Sequence, residues 1–392
     1  MRRNIPIGLL YSTTGTYGTL GHDCHDGAMM SVQDVNANDA YDFRFTPQVG
    51  NPGGDIYEYH RLSETMLRDG KCRNIIGTIT SLSRKETIPI IEKHDGLLWY
   101  MTPYEGFECC ENVIYTGACP NQHIVPMFAH LIPHYGRRAY LVGSNYVWGW
   151  EINRVGRELI SSCGGEITGE KYLPFGSVDV HRMIKDIKET RPNFILNNLI
   201  GASSYAFFRA YYAAGKTDDF FQPENCPIVS CNLTECELQN IGYDAAVGHL
   251  SASPYFESVK TAGNGDFIAA AQSRFGKQRP ISSFFVNAYQ SVRYLADAIQ
   301  AGGSDEIEVV KNSLFSRKFT SPLGLTRISA KTNHAALPFY LGRIRPERGF
   351  ELVLSHPDAI EADPYLVGFD AKEFAAQATG ARTRQSHLQV VR

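Results

Sequence analysis

Short apolar runs recur through the first part of the chain, separated by longer segments of helical spacing. The runs are Ile5–Tyr11, Phe43–Val49, Asn74–Thr80, Gly96–Met101 and Asn112–Tyr115. Between them, Asp26–Asn36, Tyr57–Arg68 and Arg84–Lys93 place apolar residues at helical intervals. Continuous apolar strands are buried on both faces, so the pattern predicts a parallel sheet with helices on each side. The alternation then starts again. Strand-like runs fall at Ala139–Gly143, Glu166–Leu173, Phe194–Ile200, Ile228–Cys231 and His249–Ser253, and helical segments at Ile124–His134, Trp150–Ser162, Val180–Thr190 and Ser204–Ala214. Two successive units of similar size predict two lobes rather than one large sheet. The tail departs from this rhythm. Phe284–Ala301 reads as a long amphipathic helix with Phe285, Ala288, Val292 and Leu295 on one stripe. Asp305 is placed to cap a second helix that runs through Phe315. Leu325–Ile328 and Phe339–Ile344 read as β segments joined by a polar turn at Lys331-Thr332-Asn333, and residues 371–392 read as a frayed polar tail.

Composition narrows the function. At 392 residues the chain is too long for one ordinary core and suits two domains of roughly 150–200 residues each. Its 38 Lys and Arg against 41 Asp and Glu give a formal net charge of -3, with no block of five or more basic residues. Nothing in it tracks a phosphate backbone, which argues against direct nucleic-acid binding. No apolar run approaches the ~18 residues of a membrane span. Met1-Arg2-Arg3-Asn4 leads straight into a strand without an apolar leader, which reads as cytoplasmic, with the periplasm as the alternative if a signal peptide precedes Met1. The nine cysteines are odd in number, irregularly spaced and contain no C-x-x-C pair, which suits reduced thiols better than a disulfide framework.

In a doubly wound sheet, ligands bind beyond the carboxyl ends of the strands. Ser81-Leu82-Ser83 follows Asn74–Thr80 and precedes a helix, so Ser81 or Ser83 is placed to cap it. A hydroxyl beside free helix-start N–H groups suits a carbonyl or carboxylate oxygen. Thr102 supplies another hydroxyl at the next strand end. The same three hydroxyls serve equally as caps and turn formers. In the second half, Ser144-Asn145-Tyr146-Val147-Trp148-Gly149-Trp150 follows one strand, and Gly201-Ala202-Ser203-Ser204 follows another. Tryptophans in such a loop either wall a pocket or pack onto their own lobe. His22-Asp23-Cys24-His25-Asp26 has metal-ligand residue types, but no second cluster completes a coordination shell, so no metal or other cofactor is expected. Thr234-Glu235-Cys236-Glu237 fits a capping box. No nucleophile elbow, phosphate loop or dinucleotide fingerprint occurs, and no nucleophile–base set is apparent, so no catalytic residues are expected and the chain reads as a non-enzyme.

Several stretches together carry a resemblance. They are Ile7-Gly8-Leu9-Leu10-Tyr11-Ser12-Thr13-Thr14-Gly15, Asn51-Pro52-Gly53-Gly54-Asp55, Ser83-Arg84-Lys85 before Pro89, and Thr102-Pro103-Tyr104-Glu105-Gly106-Phe107-Glu108. Pro120-Asn121-Gln122, Gly143-Ser144-Asn145-Tyr146 and Asp363-Pro364-Tyr365 complete them. The chain resembles the type I periplasmic binding proteins of the leucine/isoleucine/valine receptor group. Within that group it is most similar to the amide and urea branch, which includes a receptor that negatively regulates aliphatic amidase expression.

That resemblance implies an α/β fold of two doubly wound, Rossmann-like lobes joined by a three-segment hinge. Residues 1–118 and 252–325 would form the N-terminal lobe, and 119–251 and 326–370 the C-terminal lobe. The hinge segments fall near Gly117–Pro120, His249–Pro254 and Leu323–Arg327. In the family the ligand lies in a cleft over which the lobes close, and the ligand-binding set expected here is Ser81, Thr102, Tyr104, Tyr146, Trp148, Gly201 and Asn232. Three positions depart from the amide receptors: Ile79 stands where they have an aromatic, Trp148 replaces a tyrosine, and Trp150 adds bulk. A free amino acid would need a buried carboxylate for its ammonium, for which Glu235 is the best candidate, whereas hydroxyls and an apolar wall suit a small neutral amide or urea-like ligand. The expected function is a cytoplasmic ligand-sensing regulator acting through a protein partner of the antiterminator type. The alternative is the solute-binding component of an ABC importer, with a permease as partner. The sequence leaves the oligomeric state open, a homo-oligomer included.

Overall fold

The computed structural model describes residues 2–380 and 389–390. The chain begins as a strict alternation of β1 (Arg3–Leu10), α1 (Gly18–Ala37), β2 (Phe43–Gly50), α2 (Ile56–Arg68), β3 (Asn74–Gly77), α3 (Ser81–Lys93), β4 (Leu97–Tyr100) and β5 (Val113–Tyr115). It continues with α4 (Ile124–Tyr135), β6 (Arg138–Ser144), α5 (Val147–Ser162), β7 (Glu166–Leu173), α6 (His181–Thr190), β8 (Phe194–Asn198), α7 (Ala202–Gly215) and β9 (Ile228–Ser230). Two short helices, α8 (Leu238–Ile241) and α9 (Tyr243–Ala246), precede β10 (Leu250–Ser253). Then come α10 (Asn264–Phe275), α11 (Ser283–Gly302), α12 (Ile307–Phe315) and the strands β11 (Lys318–Ser321), β12 (Gly324–Arg327), β13 (Leu337–Ile344) and β14 (Phe350–Ile360). The last elements are α13 (Ala371–Ala378) and β15 (Gln389–Val390).

The chain divides into two compact units. The first comprises Met1–Ala118, Lys260–Leu337 and Ala359–Ala362, and the second comprises Cys119–Val259, Pro338–Asp358 and Asp363–Arg392. The chain passes between them at 118/119, 259/260, 337/338, 358/359 and 362/363. The second and third of these lie further along the chain than Pro254 and Arg327, so 252–259 groups with the second unit and 326–337 with the first.

The first unit holds a five-stranded sheet in the order β2-β1-β3-β4-β5, parallel throughout. Its strands are apolar on both faces because helices cover both: Ile7, Leu9, Leu10, Ile75, Ile76 and Leu98 are fully buried. Helix α11 packs along α1, and the approach is so close that a Cβ on Gly27 would lie 2.1 Å from the Phe285 carbonyl oxygen. The cluster at residues 22–26 is structural. Asp23 and Asp26 hold Arg279 at 2.8 and 2.5 Å.

The second unit holds the eight-stranded sheet β15-β14-β13-β10-β9-β8-β6-β7. Strands β6 to β10 are parallel, and β13 returns antiparallel to β10. Sequence periodicity treated Leu325–Ile328 and Phe339–Ile344 as joined segments. They lie instead in different sheets, since β12 pairs with β11 in a two-stranded ribbon while β13 joins the large sheet. Three further expectations change. The cap residue of α12 is Glu306, not Asp305, which faces Arg73 at 3.7 Å. Helix α10 has no counterpart in the pattern read from the sequence. The tail is ordered through α13, where Asp370 accepts from the backbone of Lys372 and Glu373 at 2.8 and 3.1 Å. The rest of that predicted tail, 381–388 and 391–392, lies outside the described residues.

Candidate functional site

Each parallel sheet has one point where successive connections leave in opposite directions, and there the loops part to leave a crevice at the carboxyl edge. In the first unit the strand order puts this point between β1 and β3. After β1, Tyr11 is buried and its hydroxyl has no partner among the described residues. Ser12 Oγ lies 2.8 Å from Tyr59 Oη and accepts from the Gly54 N–H at 2.8 Å. After β3, the buried Thr78 hydroxyl is likewise unpartnered. Thr80 rather than Ser81 or Ser83 is the N-cap of α3. Its hydroxyl accepts from the Ser83 N–H at 3.1 Å while Ser83 Oγ accepts from the Thr80 N–H at 3.1 Å. Ser81 is therefore free of capping duty, and its hydroxyl donates to the Glu105 carboxylate.

The loop after β4 explains the Thr-Pro-Tyr-Glu-Gly-Phe-Glu run. Thr102 Oγ1 donates to the Ile79 carbonyl at 2.9 Å, tying this loop to the end of β3. Arg84, on the first turn of α3, is fully buried. Glu105 accepts from its Nη2 at 2.9 Å and Glu108 from its Nε at 2.7 Å. The guanidinium also sits 4.6 and 4.7 Å from the ring centroids of Tyr100 and Tyr104. Lys85 and Tyr115 each donate to Glu108 at 2.7 Å. Burial opposes ionisation of Glu108, but the Arg84 charge and the Arg84 and Lys85 hydrogen bonds prevail and hold its carboxyl at about 2. Tyr104 does not wall an open pocket. It is buried in this cluster, hydrogen-bonded to His334 and stacked on Tyr115, with centroids 5.2 Å apart. Burial lowers His334 to about 4, so its ring is neutral at physiological pH.

In the second unit the reversal lies between β6 and β8. Ser144 Oγ accepts from the Ile200 N–H at 3.1 Å and links the two strand ends. Helix α5 opens after Tyr146 and α7 after Gly201, and neither N-terminus carries a side-chain cap. Gly201 adopts φ 57° and ψ -132°, a conformation that glycine enters without steric cost. On the first turn of α5, Trp148 is 3% exposed and its Nε1 has no partner among the described residues. On the first turn of α7, Ser203 is fully buried and its Oγ is unpartnered. Asn198, at the end of β8, donates to Asn153 Oδ1 at 2.8 Å and leaves its own Oδ1 free. Tyr146 packs on Phe175 at 4.7 Å, and Trp150 is half exposed with Nε1 donating to Asn145 at 3.0 Å.

Two further predicted groups lie after β9. Asn232 Oδ1 accepts from Ser230 Oγ at 2.7 Å. Glu235 is 2% exposed, and no capping box forms. The Thr234 hydroxyl instead donates to the Glu235 carboxyl at 2.8 Å, and the Glu257 N–H donates to its other oxygen at 2.8 Å. Burial pushes this carboxyl up to about 8 against those hydrogen bonds.

Ser81, Thr102 and Tyr104 thus share the carboxyl edge of the first sheet, while Tyr146, Trp148, Gly201 and Asn232 share that of the second. The hydroxyls of Ser81, Thr102 and Tyr104 are engaged within the unit itself. Sequence patterning did not single out Tyr11, Thr78 and Asn198 as ligand groups, and it placed Ser203 in its loop but not in the expected ligand set. The signal that could have found them is the strand order, because it places the loops after β1, β3, β6 and β8 at the two crevices.

The chain belongs to the periplasmic binding protein family, since the family model described as "Periplasmic binding protein domain" matches residues 5–370. This is a family of ligand-binding proteins rather than enzymes, and the two-unit α/β architecture is its type I fold. Among solved structures, the chain is similar to a solute-binding protein of an ABC transporter from Rhodopseudomonas palustris HaA2 in complex with p-hydroxybenzoic acid. The TM-score is 0.78 at 19% identity, over 89% of this chain and 97% of that one. A substrate-binding protein of a branched-chain amino acid transporter from Streptococcus pneumoniae, in complex with isoleucine, gives 0.75 at 17% identity over 90% and 99%. A benzoate-bound solute-binding protein from R. palustris gives 0.80 at 18% identity over 92% and 98%. At such identities the likeness establishes the fold. A limonene hydroxylase from Geobacillus stearothermophilus is 29% identical over 126 residues, 32% of this chain, and the match spans 23% of that curated relative's length. No described helix is long and apolar enough to cross a membrane.

Proposed function

We propose that this protein is the solute-binding component of an ABC importer for a small neutral solute of the amide or urea type, which the polar atoms at the carboxyl edge of each unit's parallel strands suit. The observation that carries the ligand class is the character of the buried polar atoms left unpartnered at the two crevices. Tyr11 Oη, Thr78 Oγ1, Trp148 Nε1, Ser203 Oγ and Asn198 Oδ1 are all uncharged. Arg84 Nη1 is also unpartnered, but two carboxylates match its charge. Glu235 is held mostly protonated at neutral pH by burial. Among the described residues these atoms offer an ionised ligand end no counter-charge, whereas a carbonyl oxygen and an amide N–H meet donors and acceptors. The importer role is favoured over the regulator by the likeness to transporter solute-binding proteins and by family membership.

Calorimetric titration with acetamide, butyramide, urea, formamide, benzoate and leucine tests the ligand class. Binding of one or more neutral amides or urea is expected. Tight binding of leucine or benzoate, with no heat from any amide, would sink the reading. Fractionation of cells expressing the native gene tests the role. Recovery from the cytoplasm would overturn the importer and favour a ligand-sensing regulator with an antiterminator-type protein partner, the reading that the Thr102–Glu108 resemblance supports.

A further inference from the structure

The loop that clamps Arg84 ends in two adjacent cysteines, Cys109 and Cys110, which neither the clamp nor the proposed ligand site uses. Both line a groove of about 550 Å³ on the first unit, beside Glu92, Glu108, Glu111 and Lys85. Cys109 is exposed and Cys110 partly so, and of the other seven cysteines only Cys236 is not buried. Each sulfur acts as a thiol donor, Cys109 to the Thr332 carbonyl at 3.1 Å and Cys110 to the Glu92 carboxylate at 3.3 Å. Burial, reinforced by Glu108 and Glu111, raises the Cys109 thiol. Burial, with the Glu92 hydrogen bond, pushes Cys110 up to about 11. At neutral pH the groove therefore offers two protonated thiols under an acidic rim.

That chemistry selects among thiol-seeking ligands. A tetrahedral divalent ion needs three or four side chains, and among the described residues no group of three His, Cys, Asp or Glu is placed to hold one. A direct disulfide needs the sulfurs about 2 Å apart, whereas these two are held by separate acceptors. The acidic rim disfavours anionic thiol reagents. Trivalent arsenic bearing one organic substituent needs only two thiols, is neutral as its oxide, and bridges a wider sulfur–sulfur gap than a direct bond does.

We propose that Cys109 and Cys110 form a bidentate capture site for neutral organic compounds of trivalent arsenic. In the reaction two arsenic–sulfur bonds form, the arsenic–oxygen bond and both S–H bonds break, and the oxygen leaves as water carrying the two thiol protons. Neither arsenic nor sulfur changes oxidation state.

Phenylarsine oxide and the full-length reduced protein provide the test, read by intact mass. The wild-type chain should gain one arsenical with loss of one water. That adduct should survive excess 2-mercaptoethanol and be removed by 2,3-dimercaptopropanol. C109S and C110S should each lose the monothiol-resistant adduct, and C236S should keep it. Circular dichroism checks that each variant is folded. A resistant adduct in C109S or C110S, or a wild-type adduct stripped by 2-mercaptoethanol, overturns the assignment. Neither outcome bears on the amide titration, so this site and the solute site stand or fall separately.

Discussion

Arg84 shows how a residue that looks ordinary in sequence becomes central in the fold. It sits fully buried among Glu105, Glu108, Tyr100 and Tyr104. Replacing one member of such a cluster strands the others. Arg84→Met should therefore lower unfolding free energy by roughly 3–5 kcal/mol in urea denaturation, because two carboxylates lose their buried cation. A loss below about 1 kcal/mol would show that the clamp is not structural. Glu235 makes the opposite case. Its carboxyl is at about 8 when folded, above its ordinary 4.5, so the folded state binds the proton more tightly. Its contribution to stability is fullest below pH 4.5 and declines as pH rises toward 8. Glu235→Gln should flatten the stability profile between pH 5 and 8, measured by denaturant midpoints, and an unchanged slope would contradict the shift. The residue types at both positions were visible in the sequence. The capping-box reading of Thr234–Glu237 failed because the Thr234 hydroxyl donates to the Glu235 carboxyl and Glu237 accepts from Tyr205, 32 residues away.

At the scale of elements, local rules read from the sequence held at some helix starts and failed at others: Glu306 rather than Asp305 is the N-cap residue of α12, and Thr234 makes no side-chain cap. A cap was expected at the start of α3, and one is present, but Thr80 rather than a serine provides it. Thr80→Ala should cost about 1 kcal/mol, since one helix-start N–H loses its acceptor. Ser81→Ala leaves that cap intact and instead removes a donor from Glu105. Comparing the two urea midpoints separates cap from clamp, and an undiminished midpoint for Thr80→Ala would remove the capping assignment. The loops after β4 and β5 meet at Gly117, where a Cβ would lie 1.9 Å from the Thr102 carbonyl oxygen. Gly117→Ala must force two backbones apart and should destabilise by about 1–3 kcal/mol. Full wild-type stability in that variant would mean the loops separate freely. Periodicity revealed nearly every strand and helix of the two alternating halves, because burial on both faces leaves an apolar run in the sequence. It missed α8, α9, α10, β11, β14 and α13; β14 is a strand whose residues are mostly half exposed and so carries no such run.

For the whole molecule, a solute that binds only the native state must stabilise it. At one hundred times its dissociation constant, an amide or urea ligand should add about 2.7 kcal/mol, seen as a higher midpoint of thermal unfolding, because molar urea would itself fill the site. A ligand that titrates calorimetrically yet leaves the midpoint unmoved would be binding the unfolded chain equally well. The sequence by itself determined the α/β class and the two alternating halves, because these follow from apolar periodicity and short-range turn chemistry. Only the tertiary structure decided which strands neighbour one another, and hence that the crevices fall at β1/β3 and β6/β8. It also decided that 326–337 packs with the first unit, and that Ser81, Thr102 and Tyr104 hold their own loops together. The reason is range: a hydroxyl's partner 20 or more residues away leaves no periodic trace in the chain.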